Sequence, residues 1–270
     1  IEPERRKRFL MLKQLIASVG VIVSSLLVKA ILSIFTYPQN YSLLFLSAGG
    51  LLLTGTVGFW MIREPAAESR RRITLRQRFA AFYQAVARDS NVRFYLLLIN
   101  TSGIALSMIP FLMLYGRTKL QIDGSLTGTY LLVQMGAGLV TNIILNLITK
   151  SQRYKGILYL FIALAAAAPV AALLLTATPL LYAAVFVMTG SALALYQVAA
   201  PGILLEISSD ENRAVYTGLS GAGGIMNIIF PLAAGFLVQL LGYPIVLGAT
   251  SVTILLGAFA TRRIVCVRLS

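Results

Sequence analysis

The sequence has no histidine and a single cysteine, Cys266. Without imidazole there is no His general base, no His-bearing metal site and no Ser-His-Asp triad within the chain. One thiol excludes an internal disulfide and a thiolate zinc cluster. Cys266 reads as an inert thiol, or as an acylation site flanking a membrane. Charge is also scarce: 12% of the 270 residues are Asp, Glu, Lys or Arg, and only 9 are acidic. A water-soluble domain carries about twice that charged fraction. No Gly-x-x-x-x-Gly-Lys-Ser/Thr run occurs, so there is no nucleotide site of the P-loop kind. These absences leave no catalytic residue, cofactor or metal to assign, and the chain is expected not to be an enzyme.

What is present is apolar: 58% of the residues are hydrophobic. A helix needs about 20 apolar residues to cross ~30 Å of hydrocarbon. Runs of that kind predict eight spans: Leu15–Thr36, Ser42–Ile62, Phe94–Tyr115, Thr127–Thr149, Ile157–Leu175, Leu180–Leu205, Thr217–Leu240 and Tyr243–Ala260. The first is too long for a signal peptide and has no small-residue cleavage site after it. The expected fold is therefore an all-α polytopic membrane protein.

The net charge of +14 then becomes a topology signal. An even number of spans puts both termini on one side. Except for Arg117, Lys119 and Lys29, all of the 23 basic residues fall in segments 1–14, 63–93, 150–156, 206–216 and 261–270, which lie on that side. By the positive-inside rule that side is cytoplasmic. The basic excess thus argues for a lipid bilayer as partner and against nucleic acid. Segment 63–93 is longer than any other connection. In it Thr74 and Gln77 fit a capping box, and Leu75, Phe79, Phe82 and Val86 recur at helical spacing among arginines. This predicts a basic amphipathic helix on the membrane surface, joining residues 1–62 to residues 94–270. It serves either as a tether or as a linker that orients two moving bundles.

Polar side chains inside hydrocarbon are costly and tend to face a bundle interior or a cavity. Asn100, Gln134, Asn142, Asn146, Gln197, Asn227 and Gln239 fall in the third, fourth, sixth and seventh spans. The second, fifth and eighth spans carry no amide, and the first has none but carries Lys29; the recurrence of apolar spans at every third helix suggests three-helix units with one lipid-facing member each. Structural repeats of this sort typify secondary transporters. Tyr182, Thr189 and Tyr196 stand seven apart and share a face. Tyr130, Gln134 and Thr141 form a second stripe, Asn100 and Ser107 a third, and Ser220, Gly224, Asn227 and Pro231 a fourth. Each stripe fits either hydrogen bonding between packed helices or the wall of a pathway.

Lys29 is the one ionisable residue well inside a span. At ~3 kcal/mol for a Lys at a helix centre, three readings compete. It snorkels to the outer interface, binds an anionic or hydroxylated solute, or pairs with an acid from elsewhere. No Asp or Glu lies inside any predicted span. Pro110, Pro169, Pro201 and Pro231 interrupt four spans, and Gly218, Gly221, Gly223 and Gly224 open the seventh. Pro110, Gly221, Gly224 and Pro231 are the candidate gating hinges, with close packing as the plainer reading.

Several segments resemble the major facilitator superfamily of secondary transporters. Pro3-Glu4-Arg5-Arg6-Lys7-Arg8-Phe9 is similar to the turn before that family's fifth helix. Arg63-Glu64-Pro65 is similar to the end of its sixth, and 66–93 to the loop joining its two lobes. Asn146–Gly156 is similar to its basic turn after the eighth helix, without the usual acidic residue and paired glycine-arginine pattern. Glu206–Arg213, then Gly218 and Pro231-x-x-x-Gly235, are similar to its entry into helix eleven. The Gly-Pro signature of many drug–proton antiporters does not follow Ser18-Val19-Gly20.

The resemblance covers the last eight of the family's twelve helices. It implies a bundle with two helices of the N-terminal lobe in 1–62, a linker in 63–93 and the six-helix C-terminal lobe in 94–270. Four further helices of the same protein are expected to precede Ile1. The implied function is transport of a small organic solute by alternating access, coupled to an ion such as H+ or Na+, from a bacterial cytoplasmic membrane. Lys29, Asn100, Ser107, Tyr130, Gln134, Tyr196, Gln197 and Asn227 are the pathway candidates. A transport-inactive sensor or scaffold with the same fold is the alternative.

Overall fold

The computed structural model describes residues 3–60, 83, 86–148, 154–208 and 213–265. The capping pair Thr74 and Gln77, the basic residues Lys150 and Arg153, and Cys266 lie outside these. Among the described residues the regular structure is all helical. The elements are α1 (Pro3–Ile34), α2 (Gln39–Trp60), α3 (Ser90–Thr101), α4 (Ile104–Leu120), α5 (Gly124–Ile148), α6 (Tyr154–Leu174), α7 (Pro179–Ile207), α8 (Arg213–Ala222), α9 (Met226–Leu241) and α10 (Tyr243–Arg263).

Among the described residues seven stretches are long and apolar enough to cross a bilayer: Gln39–Gly58, Ser90–Leu120, Gly124–Leu145, Tyr154–Leu174, Pro179–Ile207, Tyr216–Leu241 and Tyr243–Arg263. They match seven of the predicted spans and make this a helical protein of the multi-pass membrane kind. The predicted first span falls in α1, whose apolar part Val19–Ile34 is shorter than the rest. Two of the seven are interrupted: α3 and α4 share one span, and α8 and α9 share another.

Local chemistry sets the ends. The Thr178 hydroxyl accepts the Leu181 N–H at 3.3 Å, and Pro179 follows at the first helical position, where its missing N–H costs no bond. Asp89 caps α3 by accepting the Asn91 N–H at 2.8 Å. Gly242 joins α9 to α10 at φ +80°, a backbone conformation that side chains rarely adopt.

The chain divides into two compact units. The first is Ile1–Arg78 with Gly124–Leu132. Here α1 meets the start of α5 at a Gly-x-x-x-Gly notch. A Cβ added at Gly124 would lie 3.2 Å from the Leu32 carbonyl oxygen, and one at Gly128 would lie 3.0 Å from the Lys29 Cα. Such notches let helix backbones approach where lipid offers no hydrophobic drive for association. In this unit Phe45, Leu46, Leu51, Leu52, Leu53 and Trp60 of α2 are all exposed.

The second unit is Phe79–Asp123 with Val133–Ser270. Its core gathers Leu98, Leu158, Phe161, Leu195, Ala199, Ile203, Ile254 and Ala260 from α3, α6, α7 and α10, all essentially sealed. Packing is tightest between α6 and α7, where Ala165 and Ala166 join Ala192 and Ala199 in that core. Small residues win here because dispersion contacts scale with how closely two helices approach. The second, fifth and eighth predicted spans therefore do not behave alike. Asn40 is the one buried residue among the described side chains of α2, whereas 44% of the most apolar 18 residues of α6 and of α10 are buried. Lack of amides marks a helix as apolar, and small residues alone do not bring it a protein neighbour: α2 carries Gly49, Gly50, Gly55 and Gly58 with nothing packed against them.

Candidate functional site

The second unit brings two helix interruptions face to face. The α3–α4 span breaks at Ser102–Gly103, and α4 restarts with short-range bonds from the Ala105 N–H to Ser102 and the Leu106 N–H to Gly103. The α8–α9 span breaks at Gly223–Ile225. Here α9 restarts with Asn227 N–H to the Gly224 carbonyl and Ile228 N–H to that of Ile225. Interruptions inside a membrane are tolerated only where other groups satisfy the freed backbone.

Asn100 does this for the second break. Its Nδ2 donates to the Gly223 carbonyl at 2.7 Å and to the Leu96 carbonyl at 2.8 Å. Its Oδ1 accepts the Met226 N–H at 3.0 Å. One amide thus spans the gap on both sides. Ser107 adds a bond from its hydroxyl to the Asn227 carbonyl at 3.1 Å. Gly103 sits against the same place: a Cβ there would lie 3.2 Å from the Asn227 Nδ2 and 2.1 Å from the Ile99 carbonyl oxygen. The Asn227 Oδ1 is buried with no hydrogen-bond partner.

The sequence-predicted residues divide by place. Asn100, Ser107, Asn227 and Gly224 converge on the paired breaks. Lys29 and Tyr130 lie in the first unit: Lys29 is half-buried with its stem over Gly128, and Tyr130 is buried. Gln134 is buried where α5 crosses α7, its carbonyl oxygen only 2.0 Å from a Cβ built on Gly190. Tyr196 is half-buried, its ring 5.0 Å from that of Phe161. Gln197 is exposed beside Val198. Of the hinge candidates, Pro110 lies inside α4 with its side chain exposed, and Pro231 lies inside α9. Gly221 has open space around it. A void of about 10 Å³, room for about one water, lies between α4, α6 and α7. Its walls are mainly apolar, with Thr189 the polar member, and none of the pathway candidates lines it.

Residues that sequence reasoning passed over complete the arrangement. Ser102 and Gly103 make the first break, and with Thr101 they left a short small-polar signal inside an apolar run. Tyr95 donates to the Ser220 hydroxyl at 3.3 Å, tying α3 to α8. At the rim of the unit the Tyr216 hydroxyl donates to the Asp89 carboxylate. Beside it the Asn91 amide pairs with the backbone of Val265, donating to its carbonyl at 3.0 Å and accepting its N–H at 2.8 Å. The Lys155 ammonium donates to the adjacent Ile264 carbonyl. Among the described residues no group of three His, Cys, Asp or Glu side chains is placed to hold a metal.

No protein-family model matches the sequence, and neither does any curated protein.

Proposed function

We propose that the chain belongs to a secondary transporter of the major facilitator kind, moving a small organic solute by alternating access. The observation that carries this is the pair of facing interruptions in two membrane spans, furnished with Asn100, Ser107 and Asn227. Transporters place substrate and ion sites at broken helices near the bilayer midplane, because irregular backbone is stable there only when it lines protein or a cavity. The polar groups at the breaks are neutral amides and hydroxyls. They suit a solute recognised by hydrogen bonds, with H+ or Na+ as the coupling ion. Under this reading Lys29 and Tyr130 of the first unit stay candidates for solute contact in their own right, and both termini face the cytoplasm of a bacterial cell.

The test pairs flux with accessibility. The protein in lipid vesicles is assayed for uptake of sugars, organic acids and amines, with and without an imposed proton or sodium gradient. In a Cys266→Ser background, single cysteines at 107 and 227 are probed with a hydrophilic thiol reagent, with Leu51→Cys and Phe45→Cys as lipid-facing controls. The reading predicts gradient-dependent uptake of one class and faster labelling at 107 and 227. Labelling no faster than the controls, with no flux of any solute, removes it.

A further inference from the structure

The two breaks differ from simple kinks in being bonded to one another. Asn100 stands just before the first break and bridges the second, holding Gly223 on one side and Met226 on the other. Ser107, just beyond the first break, holds the Asn227 carbonyl just beyond the second. Gly103 and Asn227 touch, and Gly103 has no room for a side chain. Neither span can change its bend at this level without disturbing the other.

The same place contains one favourable and one unfavourable group. The Asn100 amide makes three hydrogen bonds, close to the four that an amide can make. The Asn227 Oδ1 is a buried acceptor without a donor, and such a group destabilises the arrangement that buries it. We propose that the paired breaks are a single reversible latch, in which Asn100 is the positioning residue that holds the bend and Asn227 opposes it. The geometry needs a side-chain amide at 100, since both a donor and an acceptor are used across the gap. At 227 it needs only a residue of that size, and the polar atom weakens the closed form. The latch is a property of the second unit alone and stands whether or not the chain carries solute.

Backbone hydrogen exchange on the protein in lipid nanodiscs, without any solute, tests this directly. The readout is the segment Gly223–Phe230, with Ile157–Ala168 of α6 as internal reference. Asn100→Leu is expected to speed exchange in that segment roughly 5–30-fold, the loss of one to two net hydrogen bonds. Exchange in the reference stays unchanged. Asn227→Leu is expected to slow the segment roughly fivefold or more, because the unpaired acceptor is gone. If Asn100→Leu does not fold, Asn100→Asp keeps the acceptor, loses the donor to Gly223 and still speeds local exchange. Faster exchange in Asn227→Leu would mean that its amide supports the bend, and the latch would be wrong. It would also be wrong if the Asn100 variants changed both segments equally or neither.

Discussion

The hydroxyl of Ser102 occupies the space where residue 257 would carry a side chain. Its Oγ lies 1.6 Å from a Cβ built on Gly257, and it donates to the Ile254 carbonyl one turn earlier at 3.0 Å. Both residues are buried, so the contact fixes how closely α3 approaches α10.

Gly257→Ala should therefore cost about 1–3 kcal/mol, the usual range for overpacking a filled site. Ser102→Ala alone should cost about 1 kcal/mol for its hydrogen bond. Combined, the two should cost less than their sum, because removing the hydroxyl removes the worst clash. Relief stays partial, since the Ser102 Cβ is 3.0 Å and the Leu98 Cδ1 3.4 Å from the added carbon. A double-mutant cycle on unfolding in mild detergent measures it; strict additivity would contradict the contact.

Gly190 and Gly136 form a matched pair for a second test. A Cβ at Gly190 meets the Gln134 carbonyl oxygen at 2.0 Å and its Cα at 3.0 Å, and backbone cannot swing aside. At Gly136 there is nothing within 4 Å. Gly190→Ala is expected to destabilise the protein by about 1–3 kcal/mol as α5 is pushed from α7. Gly136→Ala is expected to be neutral or slightly stabilising, as alanine is the better helix former. Melting temperatures of the two variants decide it, and equal losses would refute the close crossing.

Asp89 has two roles that mutation can separate. Its carboxylate caps α3 through the Asn91 N–H and also accepts the Tyr216 hydroxyl. Tyr216→Phe removes one bond and should cost about 1 kcal/mol. Asp89→Ala removes both and leaves the buried Tyr216 hydroxyl unpaired, for about 2 kcal/mol or more. Once Asp89 is alanine, adding Tyr216→Phe should cost little or restore some stability. Denaturant midpoints report the order, and Tyr216→Phe as the more damaging change would count against it.

Within the first unit, Gly128 sets the approach of α1. Gly128→Leu should push α1 away, since even one added carbon reaches 3.0 Å from the Lys29 Cα. Cysteines placed at Leu32 and Gly124 report the separation. Oxidative cross-linking between them should fall at least several-fold with Gly128→Leu. It should persist with Gly20→Leu, a site with no atom within 4 Å. Cross-linking that survives Gly128→Leu would mean that the notch does not hold the helices.

The spans were legible because their signal is local. The apolar run from Leu180 to Leu205 sits inside the helix Pro179–Ile207, and the run from Tyr243 to Ala260 inside Tyr243–Arg263. The break at Ser102–Gly103 was not legible, because the only interruption is the short run Asn100-Thr101-Ser102-Gly103, and such small and polar residues also occur in unbroken, packed membrane helices. Gly223 and Gly224 did stand out, but as one end of a longer glycine run. Asn100 and Asn227 were visible as polar residues in apolar spans. That one is fully engaged and the other has an unpaired oxygen depends on α3 meeting α9, a contact between residues more than a hundred apart. The alanines of α6 were read as lipid-facing for want of amides. Their burial follows from the small residues of α7, a complementarity that no single helix displays.

The Asn91–Val265 pairing bears on chain topology. It places the beginning and the end of the second unit side by side, joined by two hydrogen bonds between one side-chain amide and the backbone N–H and carbonyl of Val265 rather than a particular side chain. A closed order of helices has no privileged starting point. A short linker across this junction, with new termini opened at the Thr176–Ala177 connection, should yield a permuted polypeptide that keeps the packing of α3, α6, α7 and α10. Connectivity along the backbone is then separable from the arrangement it encodes.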